Sequence, residues 1–204
     1  MMKKSKRSDV DPFIVMDVME SARIAEEKGK DIIHMEVGQP GTPAPKIAKD
    51  YITNEINKNN LGYTVSLGLP ALRAKISELY GDWYNLDLNP NRIVVTTGSS
   101  GAFILSFSAL FDSGDRVGIG SPSYPSYRQI LKSLSLETVD IQTKLQNRFQ
   151  PVPEDITNNN LNGILVASPA NPTGSMLDKQ SLENLINTAN ENLSLIHISE
   201  PTRP

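Results

Sequence analysis

Residues 92–125 read RIVVTTGSSGAFILSFSALFDSGDRVGIGSPSYP. The β-branched run Ile93–Val95 predicts a strand. The Gly/Ser turn after it leads into Ala102–Phe111, a segment apolar enough to predict a buried helix. Val117–Ile119 predicts a second short strand. Strand, turn and helix in this order indicate an α/β layer with a mainly parallel sheet.

The alternation continues toward the C-terminus. Tyr127–Leu134 predicts a helix, and Glu137–Ile141 and Gly163–Ala167 predict two further strands. A last helical face is formed by Leu182, Leu185, Ile186 and Ala189, whereas Asn158–Asn160 is read as a loop. We therefore predict an α/β fold with helices flanking the sheet. Ligands of such sheets bind at the carboxyl ends of the strands, which is where the sequence has its motifs.

The N-terminal part of the chain is mainly helical. Asp11-Pro12 is typical of a helix start, and apolar residues recur from there to Ala25 at helical spacing. A short strand is predicted at Asp31–Glu36, which includes His34. Two more helices are predicted from apolar residues at helical spacing: Ile47, Tyr51, Ile52 and Ile56, and then Leu72, Ile76, Leu79, Tyr80 and Trp83. The second set forms one apolar stripe, whose aromatic residues we expect to lie in the core.

Composition narrows the class of protein. The chain has 204 residues, 38% of them apolar and 21% charged, which favours a globular protein. A net charge of −3 argues against general nucleic-acid binding, and the absence of cysteine with only two histidines argues against a transition-metal site. The sequence has no apolar run of about 20 residues and no secretion signal, so we expect a cytoplasmic enzyme without a membrane span.

The turn after the first of these strands has the features of a phosphate site. A helix N-terminus exposes backbone N–H groups and the positive end of the helix dipole. Gly98 allows close approach of a ligand, and Ser99 and Ser100 add hydroxyl donors. The turn lacks the Gly-Lys-Ser/Thr of a nucleoside-triphosphate loop. An ordinary capped helix would also explain this turn taken alone.

Two further motifs follow strands. Tyr124, in Ser-Pro-Ser-Tyr-Pro, could stack on a flat heteroaromatic ring, although it could equally be a turn tyrosine packed on its neighbours. Asn171 lies between two prolines in Ser-Pro-Ala-Asn-Pro-Thr-Gly, and its amide could donate a hydrogen bond to a phenolate-like oxygen. Asn-Pro also begins ordinary turns, so the order and spacing of the three motifs decide between these interpretations.

With these motifs in order, the chain resembles the fold-type I aminotransferases of classes I and II, which depend on pyridoxal 5'-phosphate (PLP). The resemblance runs from Val10 to about Asn192. It includes Glu36-Val37-Gly38-Gln39-Pro40, Gly62-Tyr63-Thr64, Leu72-Arg73 and Asp115-Arg116-Val117. It implies an incomplete PLP-binding large domain at 46–192, preceded at 1–45 by an N-terminal helical arm from the small domain.

The resemblance also implies a role for each motif. Gly98, Ser99 and Ser100 would cradle the PLP phosphate, Tyr124 would stack on the pyridine ring, and Asn171 would bond the ring's 3-oxygen. Tyr63 would reach the phosphate held by the other subunit of a homodimer. Gly38 would lie beside the α-carboxylate of the amino acid or 2-oxo acid substrate. The expected reaction is transamination between an amino acid and a 2-oxo acid.

The catalytic lysine of the family has no counterpart here. That lysine normally follows a serine or threonine by three positions, and no lysine of this chain does. Residues 193–204, LSLIHISEPTRP, resemble translated sequencing-adapter read-through, although a genuine C-terminus with a short strand is the alternative. We therefore expect no catalytic residue in the chain and no turnover by it alone.

Three other functions remain open at this point. A β-lyase or a decarboxylase could use the same scaffold, because substrate orientation selects the reaction. A regulator that senses PLP behind a DNA-binding domain would need a winged helix before the first helix, where only about ten residues stand. An inactive remnant or interaction module is the third alternative.

Overall fold

The computed structural model describes residues 3–192 and 195–199, with the backbone alone for 195–199. The chain divides into two compact units. One comprises Ile14–Thr97, and the other comprises Met1–Phe13 together with Gly98–Pro204. Residues 193–194 and 200–204 of the tail discussed above lie outside the described residues.

The first unit contains three helices. They are α1 (Ile14–Glu27), α2 (Lys46–Ile56) and α3 (Pro70–Tyr84). The prediction that α3 turns its apolar stripe toward a core is wrong for Trp83, which is 58% exposed. The buried residue of this helix is Arg73, whose guanidinium donates to the Pro90 carbonyl at 2.8 and 3.1 Å and to Asn91 Oδ1 at 2.9 Å. Hydrogen bonds to the turn at 90–92 therefore hold α3.

The second unit has a layer of strands between two layers of helices. In chain order its elements are α4 (Gly98–Leu110), β1 (Arg116–Ser121), α5 (Pro125–Ser133), β2 (Glu137–Gln142), α6 (Pro153–Asn159), β3 (Gly163–Ala167), α7 (Lys179–Glu191) and β4 (Leu195–Ser199). In the described residues the strand order is β2-β1-β3-β4, and all neighbours are parallel. The predicted α/β class with a parallel sheet is confirmed.

Side chains alternate between the two faces of the sheet. Val117 and Ile119 of β1 pack with Phe107 of α4 and Leu131 of α5 in one buried cluster. Ile164 and Val166 of β3 belong to a second cluster, which also contains Ile156 of α6 and Leu185 of α7. Because successive residues of a strand point to opposite faces, Leu165 of β3 belongs to the first cluster while its neighbours Ile164 and Val166 belong to the second.

Two predicted strands do not form. Ile93 has an extended backbone, but the described backbone bonds of residues 93–95 run from Ile93 N to the Pro90 carbonyl and from Val95 N to the Leu67 carbonyl. Neither acceptor belongs to a strand, and a strand requires a paired neighbour. Residues 31–36 are likewise without strand structure. In that segment the His34 side chain bonds two carboxylates, an arrangement that β-propensity does not anticipate.

Helix boundaries differ from the prediction at two places. Helix α1 begins at Ile14, three residues after Asp11, which was expected as its cap and instead pairs with Lys132 Nζ at 2.6 Å. The prediction of a loop at 158–160 is wrong for residues 158 and 159, which are the last residues of α6, and Asn160 caps the helix in the left-handed conformation. Two features mark the N-terminus of α6. Pro153 is its first residue, and the Asp155 carboxylate accepts a hydrogen bond from Val152 N at 2.8 Å.

Candidate cofactor-binding site

The loops after β1 and β3 lie side by side because these two strands are parallel neighbours, paired from Val117–Gly163 to Ile119–Leu165. Tyr124 follows β1, and Asn171 follows β3. The two loops share a small cavity of about 20 Å³, lined among others by Pro122, Ser123 and Asn171. The topology therefore brings these two motifs to one edge of the sheet.

The first turn of α4 forms the third part of this edge. Gly98 has φ +77°, a left-handed conformation that glycine adopts without strain. Ser99 and Ser100 are exposed, and within the described chain their hydroxyls have no hydrogen-bond partner. Ser100 lines a cavity of about 150 Å³ with Ser126, which stands two residues after Tyr124. Ser100, in the first turn of α4, thus faces a common space with Ser126, in the first turn of the helix that follows Tyr124.

Aromatic packing fixes the ring of Tyr124. It meets Tyr127 with ring centroids 5.5 Å apart at 78° and Phe13 at 6.2 Å and 86°. Phe103 of α4 meets Tyr127 in the same edge-to-face manner at 5.1 Å. Such contacts favour one ring orientation. A continuous row of rings therefore runs from α4 to Tyr124, and it connects the serine turn to the loop after β1.

The Asn171 loop is held by its own backbone. Ala170 N donates to the Ser175 carbonyl at 2.8 Å, and Gly174 N donates to the Ala170 carbonyl at 2.7 Å. Ser168 Oγ accepts from Leu177 N at 3.0 Å. The Asn171 amide is exposed and has no hydrogen-bond partner within the described chain. It is available to donate to a ligand at the sheet edge.

These groups fit a phosphorylated aromatic ring that lies in an open groove. The cavities of about 20 and 150 Å³ are smaller than the several hundred Å³ of an enclosed ligand pocket. For such a ring, the serine hydroxyls and the N-terminus of α4 are suitable donors to a phosphate, and the Asn171 amide is a suitable donor to a ring oxygen. None of the residues lining these two cavities is a lysine. Lys179, the last lysine of the chain, is 90% exposed in α7.

Gly38 and Tyr63 belong to the first unit. Tyr63 is fully exposed, and Gly38 lies in an irregular segment where an added Cβ would meet nothing within 4 Å. His34, which the sequence placed in a strand, bonds Glu36 through Nδ1 at 2.6 Å and Glu26 of α1 through Nε2 at 2.8 Å. These carboxylates, Glu36 first, raise the pKa of His34 to about 9. The segment before Gly38 is thereby connected to α1.

Sequence reasoning missed Phe13 and Gln150. Phe13 packs against Tyr124, and Gln150 is a buried residue that lines the small cavity beside Asn171. The available signal for Gln150 was a polar residue inside Phe149–Val152, a segment that is otherwise apolar.

Two further observations concern metals and membranes. In the described ranges, no group of three His, Cys, Asp or Glu side chains is arranged to hold a metal ion. The helices of the same residues are too short or too polar to span a bilayer; α3, for example, has 15 residues.

Comparison with known proteins gives consistent matches. The sequence model of the family described as aminotransferase class I and II matches residues 30–199. A valine–pyruvate aminotransferase of Mycobacterium tuberculosis is 42% identical over 178 residues, which are 86% of this chain and 46% of that protein. An aspartate aminotransferase of Thermotoga maritima is 32% identical over 179 residues, with 85% and 47% covered.

A solved structure also matches the fold of this chain. The crystal structure of an aminotransferase from Mycobacterium tuberculosis superposes with a TM-score of 0.90 at 37% identity, and the match covers 97% of this chain and 52% of that one. The chain thus spans about half the length of the relatives it matches.

Proposed function

The chain belongs to the class I and II aminotransferases, and from that premise we propose that it forms the PLP-binding part of an enzyme that transfers amino groups. The family and the fold expected from the sequence motifs are both confirmed by the matches. The observations that carry the proposal are the cavity shared by the loops after β1 and β3 and a second cavity, which Ser100 of α4 lines with Ser126 of α5.

We assign the phosphate to the first turn of α4. Ser99 and Ser100 donate from their hydroxyls, and the helix N-terminus favours the phosphate charge. Gly98 keeps the backbone open at the point of entry. The Asn171 amide donates to the 3-oxygen, while the ring of Tyr124 stacks on the pyridine. When bound, PLP supplies the electron sink for amino-group transfer, and the protein supplies orientation and charge.

Two residues of the first unit complete the proposal. We assign Tyr63 to the phosphate held by a second copy of the chain, because a fully exposed tyrosine can reach beyond its own subunit. We assign Gly38 to the α-carboxylate of an amino acid or 2-oxo acid. The proposed division is an arm at 1–45 and a cofactor-binding domain at 46–192, in a homodimeric cytoplasmic enzyme.

The chain itself should bind the cofactor without turnover. No lysine lines the two cavities at the sheet edge, so the chain offers no general base or covalent anchor there. Pyridoxamine 5'-phosphate is the suitable probe, because it has no aldehyde and forms no adventitious imine with surface lysines.

The test is a titration of the chain with pyridoxamine 5'-phosphate, followed by protein fluorescence. We expect saturable binding, weakened roughly tenfold in Asn171→Ala by loss of one hydrogen bond to a charged oxygen. Asn190→Ala is the matched control, since Asn190 is an exposed asparagine of α7. Equal affinity of both variants, or no saturable binding by the chain, contradicts the proposal. Transfer from valine, alanine or aspartate to 2-oxo acids by a full-length enzyme containing this chain tests the reaction.

A further inference from the structure

Gln150 is an unusual residue in this fold because it is polar, uncharged and only 3% exposed. Among the described residues, the buried polar or charged side chains are those of Arg73 and Gln150. Gln150 precedes α6 and lies far in sequence from the motifs of the proposed site. A buried amide is retained where its hydrogen bonds are made, since an unpaired one is costly.

The side-chain amide of Gln150 joins the two ends of the Asn171 loop. Its Nε2 donates to the carbonyl of Ala167, the last residue of β3, at 3.1 Å. It also donates to the Ser175 carbonyl at 2.9 Å and lies 3.3 Å from Ser175 Oγ. Residues 168–174, which carry Asn171, are enclosed between these two acceptors. A single side-chain NH₂ group therefore hydrogen-bonds to both ends of the loop.

Gln150 acts at these ends together with the hydrogen bonds that the loop makes by itself. The Ser175 carbonyl that accepts from Gln150 also accepts from Ala170 N at 2.8 Å, so the two bonds converge on one oxygen. Phe149, Gln150, Ala170 and Asn171 line the cavity of about 20 Å³, which has room for about one water molecule. Gln150 and the loop therefore share the wall of this cavity as well as the hydrogen bonds.

We propose that Gln150 is a positioning residue for Asn171: its amide fixes both ends of the loop so that the Asn171 side chain points outward to the ring oxygen of the cofactor. This role rests on the proposed function, because it concerns the same site. Gln150 does not touch the cofactor in this proposal and acts through the carbonyls of Ala167 and Ser175.

The first test uses the unmodified chain and needs no ligand. The side-chain NH₂ protons of Gln150 should exchange with solvent at least tenfold more slowly than those of Gln146, an exposed glutamine four residues earlier. The backbone amide protons of Ala170 and Gly174 should also be protected. Exchange of the Gln150 NH₂ protons at the rate of Gln146 overturns the proposal, and this result does not depend on whether any variant folds.

The second test is a double-mutant cycle read by affinity for pyridoxamine 5'-phosphate. Gln150→Met keeps the length of the side chain and removes its donors, and we expect roughly tenfold weaker binding and faster exchange at Ala170 and Gly174. Gln146→Met is the control and should change neither. In the Asn171→Ala background, Gln150→Met should cause little further loss, because both changes remove the same contact.

The outcomes separate this proposal from the one on which it rests. If Gln150→Met weakens binding by the same factor with and without Asn171→Ala, Gln150 acts only on general stability. That result would overturn the positioning role, while the proposal of PLP binding would stand. Absence of any saturable binding by the unmodified chain would overturn the proposed function and the positioning role together, even with slow exchange at Gln150.

Discussion

His34 holds two carboxylates that come from different segments of the first unit. Glu26 lies near the end of α1, and Glu36 precedes the Gly38 segment. The remaining charged groups that face this cluster are Glu20 and Arg23 of α1, and Arg23 is itself paired with Glu20 at 2.7 Å. A protonated imidazole can donate to both carboxylates at once, whereas a neutral one can donate only once.

The charge on His34 predicts that this residue's contribution to stability is lost as pH rises, the opposite direction to acid denaturation. Because its pKa is raised from about 6.5 to about 9, the contribution of His34 to stability is complete below pH 6.5 and is lost as pH rises through 9. We expect the imidazole signals of His34, followed by NMR, to titrate near pH 9. Glu36→Gln should lower that value, since Glu36 is the first cause of the shift.

The control for this titration is His197→Gln, which leaves one histidine to assign. A His34 titration near its ordinary value in the unmodified chain would contradict the bridged geometry. If His34 of the Glu36→Gln variant still titrates near pH 9, the raised pKa of His34 has a cause other than Glu36.

The sequence predicted the place of some single residues in the fold and missed the role of others. Tyr124 and Asn171 were located because motifs that directly follow strands come to the sheet edge in any parallel α/β fold. Gln150 and His34 were not, because their partners lie 17, 25 and 8 positions away in sequence. No local pattern encodes such pairings before the fold is known.

At the scale of elements, buried strands were predicted well and isolated ones poorly. Residues 117–119 and 163–167 are apolar runs, and the structure pairs them in one sheet with the more polar residues 137–141. Residues 31–36 and 93–95 have similar propensity, but no paired strand lies beside them among the described residues. Propensity reports on a side chain's fit to a sheet, while hydrogen-bond pairing decides whether a strand forms.

The turn at Gly68 gives a prediction about the stability of the first unit. Gly68 has φ +98°, and an added Cβ would lie 2.6 Å from Cβ of Val95. Gly68→Ala should lower the free energy of unfolding by about 3 kcal/mol, through left-handed strain and a clash with a β-branched residue. Urea unfolding measures this change. Gly62→Ala is the control, because its Cβ would meet nothing within 4 Å, and equal stability of both variants would contradict this packing.

The N-terminus of α7 gives a prediction about its cap. Asp178 Oδ1 accepts from Ser181 N at 2.8 Å, and this bond lowers the pKa of Asp178. The cap therefore stabilises the fold above about pH 4 and is lost as pH falls below it. Asp178→Ala should lower the melting temperature at pH 7, whereas Asp178→Asn, which caps without titrating, should retain it.

A melting temperature of Asp178→Ala equal to that of the unmodified chain at pH 7 would contradict the cap. So would an Asp178→Asn variant that loses stability on acidification in parallel with the unmodified chain.

At the scale of the whole molecule, the fold class and the order of the motifs followed from the sequence, and the degree of burial did not. Helix α2, predicted from the spacing of its apolar residues, has no buried residue, and its Ile47 is 81% exposed. Periodicity identifies which side chains share a face, but it carries no information on what covers that face.

The central claim is that the first turn of α4, the loop after β1 and the loop after β3 form one cofactor site. The most direct measurement is a titration of the ¹⁵N-labelled chain with pyridoxamine 5'-phosphate, observed at the backbone amides. We predict that Ser99, Ser100, Tyr124 and Asn171 shift together along one saturation curve with a single dissociation constant. Shifts confined to one of the three segments, or different dissociation constants among them, would contradict the account.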